Sequence, residues 1–166
     1  APFEFVAMDI LGPLPETKDG NRFLIVIVDR FSKLKRTIPL KTITAEEVSK
    51  AFVNELFCVY GAPVVLLSDN GTQFVSKFFQ SVCRLLGVKQ VFTTAYHPAS
   101  NGQCERFNRT VLNDITHFVS DNQDNWDELS YTATYAYNTT VQSSTGYTPF
   151  ELTLSRTSPS HVLSTG

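Results

Sequence analysis

Val64-Val65-Leu66-Leu67-Ser68-Asp69-Asn70-Gly71 is a wholly apolar run that ends at a polar turn. Four apolar residues without alternation suit a strand covered on both faces, as central parallel strands are. Helical patterns flank it on either side. Upstream, Thr44-Ala45-Glu46-Glu47 is a capping box, in which the threonine hydroxyl and the glutamate three residues on satisfy each other's backbone donors. A helix is expected from there to about Tyr60, with Val48, Ala51, Phe52, Leu56 and Val59 facing inward and Gly61 and Pro63 stopping it. Downstream, a second helix carries Phe74, Phe78, Val82 and Leu85; Gly87 closes it, and Lys89 to Thr93 makes another strand.

Toward the N-terminus, Phe3, Phe5, Ala7 and Leu11 alternate with Val6, Met8 and Ile10, so both faces of this segment are apolar and it reads as a buried strand. Gly12, Pro13 and Pro15 end it. Asp19-Gly20-Asn21 is a hairpin signal leading into a second strand, Phe23 to Val28, and a third is expected across Leu34 to Leu40. Toward the C-terminus, Thr94 to Gly102 is polar and reads as a loop. Ser100 and Gln103 form a second capping box, opening a long helix to about Val119 with Cys104, Phe107, Val111, Ile115 and Phe118 as its apolar stripe. Another helix is expected from about Asn125 to Asn138, and Thr148-Pro149 suits the N-cap and first position of a short last helix. The order of three strands, helix, strand, helix, strand and then helices predicts an α/β fold with a five-stranded mixed sheet flanked by helices. Residues 1–154 form this core, and the Ser- and Thr-rich stretch 155–166 reads as a linker or disordered tail.

With 166 residues, 42% of them hydrophobic and 12% aromatic, the chain can bury one real core and is not a disordered segment. No apolar run approaches the roughly 20 residues that span a bilayer, and no signal peptide opens the chain. Alanine begins the numbering with a strand almost at once, which points to a piece of a longer protein. Cys58, Cys83 and Cys104 are odd in number, lack CxxC spacing and fall in helical patterns, where a free cysteine acts as a small buried hydrophobe. His97, His117 and His161 do not pair with them at zinc spacing, and a reducing, intracellular compartment fits. A formal charge of −2 argues against a dedicated nucleic-acid binder, unless part of the acid count ligates metal.

Three carboxylates stand in costly or suggestive places. Asp9 interrupts Phe5-Val6-Ala7-Met8-Asp9-Ile10-Leu11, where an unpaired charge is expensive to bury; a neighbouring arginine or backbone donors would also account for it. Asp69 lies just past the apolar strand, where ligands of α/β sheets gather, although turn chemistry alone favours Asp, Asn and Gly there. Glu105 lies in the first turns of the long helix, beside its apolar stripe and on the same face as Arg109, a place an ordinary solvated acid also takes. If the first and fourth strands are neighbours, Asp9 and Asp69 meet at one edge of the sheet, and the helix after the loop can bring Glu105 to them. Three like charges share a small site only when cations neutralise them, and hard oxygen ligands select Mg²⁺ or Mn²⁺.

The chain resembles the integrase core of gypsy-type retrotransposons and of retroviruses. The resemblance is carried by Met8-Asp9-Ile10-Leu11-Gly12-Pro13-Leu14-Pro15, Val26-Ile27-Val28-Asp29, Leu67-Ser68-Asp69-Asn70-Gly71-Thr72-Gln73-Phe74 and Tyr96-His97-Pro98. It continues through Asn101-Gly102-Gln103-Cys104-Glu105-Arg106-Phe107-Asn108-Arg109-Thr110, Tyr135-Ala136-Tyr137-Asn138 and Ser144-Thr145-Gly146-Tyr147-Thr148-Pro149-Phe150-Glu151-Leu152. It implies a ribonuclease-H-like fold and metal-dependent trimming and insertion of element DNA ends, with Asp9, Asp69 and Glu105 matching the family's two aspartates and glutamate and 35 residues between the last two. Two Mg²⁺ ions, replaceable by Mn²⁺, are implied as cofactors. Asn101, Gln103, Arg109, Tyr96 and His97 are implied DNA contacts, the last two in the loop before the helix. Asp29 resembles a family residue that is not a metal ligand.

The implied partners are element-end DNA, target DNA and a second copy of the core, with the Thr44–Tyr60 and Asn125–Asn138 helices as candidate interface and a higher multimer in the full-length protein. The implied compartment is the nucleus, after a cytoplasmic stage. Family members carry a zinc-binding His/Cys domain before the core and a small basic domain after it; neither is in this chain, so much of the DNA affinity is expected outside it. The rival readings are an insertion-sequence transposase core, a domesticated, catalytically silent DNA-binding or docking module, and a ribonuclease H, which would add a fourth carboxylate.

Overall fold

The computed structural model describes residues 1–93, 117, 119, 121 and 123–157, the last four as backbone alone. Five strands, β1 (Phe5–Leu11), β2 (Phe23–Asp29), β3 (Lys35–Leu40), β4 (Val65–Ser68) and β5 (Lys89–Phe92), form one sheet in the order β3-β2-β1-β4-β5. The first three pair antiparallel, and β4 and β5 run parallel to β1, giving the mixed sheet expected from the sequence. The β1–β2 link closes through Leu14 N–H to the Arg22 carbonyl (2.6 Å) and Thr17 N–H to the Asn21 carbonyl (3.0 Å). Gly12, at φ +139°, starts this link where a Cβ would stand 2.5 Å from the Phe23 ring and 2.8 Å from the Arg22 carbonyl oxygen. Only glycine fits there.

One face of the sheet is thickly covered. Val6, Met8, Ile25, Ile27 and Ile38 pack beneath α1 (Ala45–Ala51), a π-helical turn (Phe52–Phe57), α2 (Cys58–Tyr60), α3 (Thr72–Val75) and α4 (Lys77–Leu85). Phe52, Phe74 and Phe79 meet at its centre, with Phe79 tilted against Phe52 and edge-on to Phe74 at ring separations of 5.7 and 5.5 Å. Each buried ring of this kind stabilises by about 1.5–3 kcal/mol through area alone.

The opposite face carries a smaller cluster, Leu24, Val26, Val28, Val119 and Trp126. Helix α5 (Trp126–Asn138) is tied down at both ends. At its start the Trp126 indole N–H donates to the Pro15 carbonyl (2.8 Å), and the buried Asp127 carboxylate accepts from Thr17 Oγ1 (2.6 Å), Asn21 Nδ2 (2.8 Å) and the Glu128 N–H (2.9 Å). Burial works to raise the Asp127 pKa, but these hydrogen bonds outweigh it and hold the carboxyl below its usual range. At its end the Asn138 amide accepts from Lys35 N–H and donates to the Lys35 carbonyl, both at 2.9 Å. A side-chain amide thus supplies the rung that the edge strand β3 lacks. Helix α6 (Pro149–Thr157) begins as expected behind Thr148, in a complete capping box: Glu151 N–H to Thr148 Oγ1 (3.1 Å) and Thr148 N–H to Glu151 Oε2 (3.0 Å). Its backbone continues past Ser155.

Several details depart from expectation. Phe78 and Leu85 are 48% and 86% exposed, while Phe79 and Cys83 fill the core. The cause is Ser76, extended at ψ 148°, whose hydroxyl caps a fresh helix through the Phe79 N–H and so shifts the apolar phase by one residue. The Thr44–Tyr60 helix is interrupted by its π-helical turn, which adds a residue to the turn and rotates the residues beyond it about the helix axis. Val59 and Cys58 are therefore exposed, against the inward valine and buried thiol expected; Cys83 is buried as expected. In the Thr44 box, Glu47 N–H donates to Thr44 Oγ1 (3.2 Å), and no return bond from the Thr44 N–H to the Glu47 carboxylate forms among the described residues. The Thr94–Gly102 loop and the long helix with its Cys104-to-Phe118 stripe lie outside the described residues, as does His161. No described helix is long and apolar enough to cross a membrane.

Candidate active site

Val6 stands level with Leu66 and Ala7 with Leu67 across the parallel β1–β4 pair. The same register carried on by two residues puts Asp9, two residues before the end of β1, level with Asp69, just past the carboxyl end of the neighbouring central strand β4. On its other side Asp9 pairs with Val26, and directly opposed residues share a face. Asp9 therefore belongs to the thinner face, among Val26 and its neighbours, where it is half-buried. Val119, downstream of Glu105 in the chain, is helical and buried on that same face.

Asp69 is exposed, one residue beyond β4. Its Oδ1 accepts the Gly71 N–H at 2.8 Å, an Asx turn, and a Cβ on residue 71 would stand 2.9 Å from that oxygen. The glycine keeps the turn tight, and Oδ2 has no hydrogen-bond partner among the described residues. Asn70 reaches across to β5, its Nδ2 donating to the Thr93 carbonyl at 3.2 Å, while Thr93 N–H donates to the Ser68 carbonyl at 2.8 Å.

Burial first, and the nearby Asp69 charge second, push the Asp9 carboxyl from its ordinary 3.8 up to about 7. Among the described residues no cation and no hydrogen-bond donor is placed against Asp9. Two hard-oxygen carboxylates side by side, one of them without compensation, fit a divalent cation of the Mg²⁺ class. Among the described residues no third His, Cys, Asp or Glu joins them. Glu105, the third acid expected from the sequence, lies outside the described residues, as do Tyr96, His97, Asn101, Gln103 and Arg109.

Asp29 is a carboxylate of another kind. It pairs with Val6, near the start of β1, and is 1% exposed. Its oxygens are taken by Phe3 N–H (2.9 Å), Ser32 N–H (3.0 Å) and Ser32 Oγ (2.6 Å), so it clamps the β2–β3 turn to the N-terminal segment. Sequence reasoning assigned no role to Asn70, Asn138 or Asp127. Their partners lie 23, 103 and 106–110 residues away, and no local pattern encodes them.

The family described as Integrase core domain matches residues 1–98. The chain belongs to that family. It is 30% identical, over 96% of its length, to the retrovirus-related Pol polyprotein from transposon 412 of Drosophila melanogaster, and spans 13% of that polyprotein. It is 32% identical, over 91% of its length, to the transposon Tf2-3 polyprotein of Schizosaccharomyces pombe, and spans 11% of it. Among solved structures, the HTLV-2 integrase catalytic core domain in complex with magnesium (trimeric form) superposes with a TM-score of 0.67 at 24% identity, covering 90% of this chain and 95% of that one. The fold of this retrotransposon- and retrovirus-type integrase core is thus ribonuclease-H-like. The family is one of DNA-processing polynucleotidyl transferases.

Proposed function

We propose that this integrase core trims the 3′ ends of element DNA and joins them to target DNA by in-line displacement at phosphorus. The observation that carries the reading is the juxtaposition of Asp9 and Asp69, two carboxylates whose mutual repulsion a proton on Asp9 relieves near neutral pH and a bound cation would relieve above it. Asp9, Asp69 and Glu105 would hold two Mg²⁺ ions, with Mn²⁺ as substitute. When bound, such ions stabilise charge on the attacking and leaving oxygens. The chain's own part is to hold the ligands still: Asp9 sits inside a paired central strand, and the Asx turn fixes the direction of Asp69. Water is the nucleophile in trimming and a DNA 3′-hydroxyl in joining, without a covalent enzyme intermediate. Asn101, Gln103 and Arg109 would contact the element ends, with Tyr96 and His97 in the loop before them. A homodimer through the Thr44–Tyr60 helix and α5 is part of the same reading, supported by Tyr131 and Tyr135, which α5 leaves 58% and 64% exposed. The working compartment would be the nucleus, after a cytoplasmic stage.

The test is strand transfer and its reversal on a branched oligonucleotide with Mg²⁺ or Mn²⁺, comparing wild type, Glu105→Gln and an EDTA control. Metal-dependent joining that the substitution abolishes is the expected result. Where the isolated core is inert, the same assay in the full-length parent decides, and an inert parent overturns the reading in favour of a silent docking module.

A further inference from the structure

Arg30, Lys33, Lys35 and Arg36 concentrate positive charge at the β2–β3 turn of a chain whose net charge is −2. Two of them are engaged locally: Arg36 pairs with Glu55, and the buried Lys35 holds its Nζ 3.6 Å from the centre of the Tyr137 ring. Arg30 and Lys33 instead line an open cleft of about 460 Å³ where β1 begins, together with Phe5, Phe31, Ser144 and Thr145. Arg30 lies over the Phe5 ring, 4.8 Å from its centre, and its guanidinium has no carboxylate or hydrogen-bond acceptor among the described residues. A cation held this way keeps its N–H donors for an incoming anion. Phe31 is 49% exposed beside it, and the Ser144 hydroxyl makes no hydrogen bond among the described residues. Glu4 is the one acid on the rim.

Both walls of the cleft are held still. Asp29 clamps the turn, Arg30 N–H donates to the Phe5 carbonyl (3.0 Å), and Lys33 N–H donates to the Asp29 carbonyl (2.9 Å) with Lys33 at φ +66°. Opposite, Gly146 N–H donates to the Gln142 carbonyl (2.8 Å) and Gln142 N–H to the Tyr147 carbonyl (3.0 Å). The clamp alone accounts for the shape of the turn, but not for an uncompensated arginine and a bare phenylalanine upon it. We propose that this cleft binds single-stranded DNA, with a phosphate between Arg30 and Lys33 and an unpaired base stacked on Phe31. Cations alone would suit duplex and single strand alike; an exposed ring beside them favours a strand whose bases are free to stack. DNA rather than an acidic peptide fits a family of DNA-processing enzymes. Phe5 and Asp9 share a face of β1 four residues apart, about 13 Å, so the cleft is a separate contact that depends neither on the two aspartates nor on the reading of trimming and joining.

The experiment is fluorescence anisotropy of a labelled oligothymidine of about 15 nucleotides, titrated with the 166-residue chain in EDTA at several salt concentrations. Phe31→Ala, which leaves the charge unchanged, is expected to weaken binding roughly tenfold. Phe31→Trp should keep wild-type affinity, and DNA should quench the new indole, the native Trp126 being fully buried. Arg30→Ala should weaken binding and lower the salt slope by about 0.7, the share of one phosphate contact on a single strand. Arg84→Ala, which removes an exposed cation on α4, should change neither. Arg30, Phe31 and Arg84 are all exposed, so melting temperatures should hold. Equal losses from Arg30→Ala and Arg84→Ala would reduce the binding to diffuse charge and overturn the proposal. So would an unaffected Phe31→Ala, an unquenched indole in Phe31→Trp, or a wild type that does not bind. A duplex of the same length bound as tightly as the strand would remove the stacked base, and a glutamate peptide displacing the DNA at equal concentration would make the cleft a peptide site; either result sinks the idea.

Discussion

Asp9 and Asp29 lie on adjacent strands of one sheet, yet nothing about their surroundings is alike. Asp29 is almost fully buried and has three donors on its oxygens; Asp9 is only half-buried and has none among the described residues. Asp29 pairs with Val6 and Asp9 with Val26, so they sit about three residues apart along the strands, roughly 10 Å, toward opposite ends of β1. A buried carboxylate with its lone pairs filled is structural cement, whereas one left bare beside a second carboxylate is a site awaiting a cation. Exposure alone would have ranked the two the wrong way round.

The sharpest way to break this contrast is to neutralise each residue and ask what is lost. Asp9→Asn should abolish joining, by about a thousandfold or more, since cation-borne charge stabilisation of several kcal/mol depends on it. The same variant should fold at least as well as wild type at pH 8, because it removes an uncompensated charge. Gel-based strand transfer and a thermal melt on one preparation read both halves. A destabilised Asp9→Asn chain would mean the carboxylate has a structural partner after all. Asp29→Ala should do the reverse. Stripping three donors of their acceptor at a buried turn should cost about 3 kcal/mol in urea unfolding, with activity falling only as far as the folded fraction does.

The sequence carried the succession of strands and helices and the mixed sheet, because period and turn chemistry are local and strong in β1, β4 and the Asp69 turn. It also distinguished Asp29 from the site. It misplaced the inner face of α4, since a serine in the middle of an apolar helical pattern can either ride along or restart the helix, and Ser76 restarts it. Val59 went wrong for a related reason: a π-helical turn advances the phase by one residue and leaves no mark in composition. The asparagine rungs were illegible because their meaning lies in a partner strand.

A subtler distinction, between Asp9 and Asp127, is how stability answers to pH. With Asp9 titrating at about 7 in the folded chain and near 3.8 when unfolded, the native state binds the proton more tightly. Its contribution is therefore full below about pH 4, declines as pH rises, and is gone above 7. Asp127, held low, works in the opposite sense, its contribution being lost as pH falls. The difference between wild type and Asp9→Asn isolates the first effect, which should reach about 2 kcal/mol after allowing for the partial exposure of Asp9. Added Mg²⁺ should recover most of it at pH 8, and a flat difference across pH 4–8 would remove the case for an uncompensated carboxylate.

The smallest expected effect is also the most discriminating about cause. Burial is the larger reason for the raised Asp9 pKa and the Asp69 charge the smaller. In Asp69→Asn the Asp9 titration, followed by carboxyl-carbon NMR in metal-free buffer, should therefore move down by less than half of its displacement and stay well above 3.8. A return all the way to the ordinary carboxylate value would mean that the pair repulsion, not the apolar strand, does the work. The site would then be a surface cluster of acids, and its cation affinity should fade with salt as exposed charges do. A partial shift that survives high salt is what a carboxylate built into a central strand should give, since the desolvation that raises it comes from Val26 and its neighbours rather than from any ion.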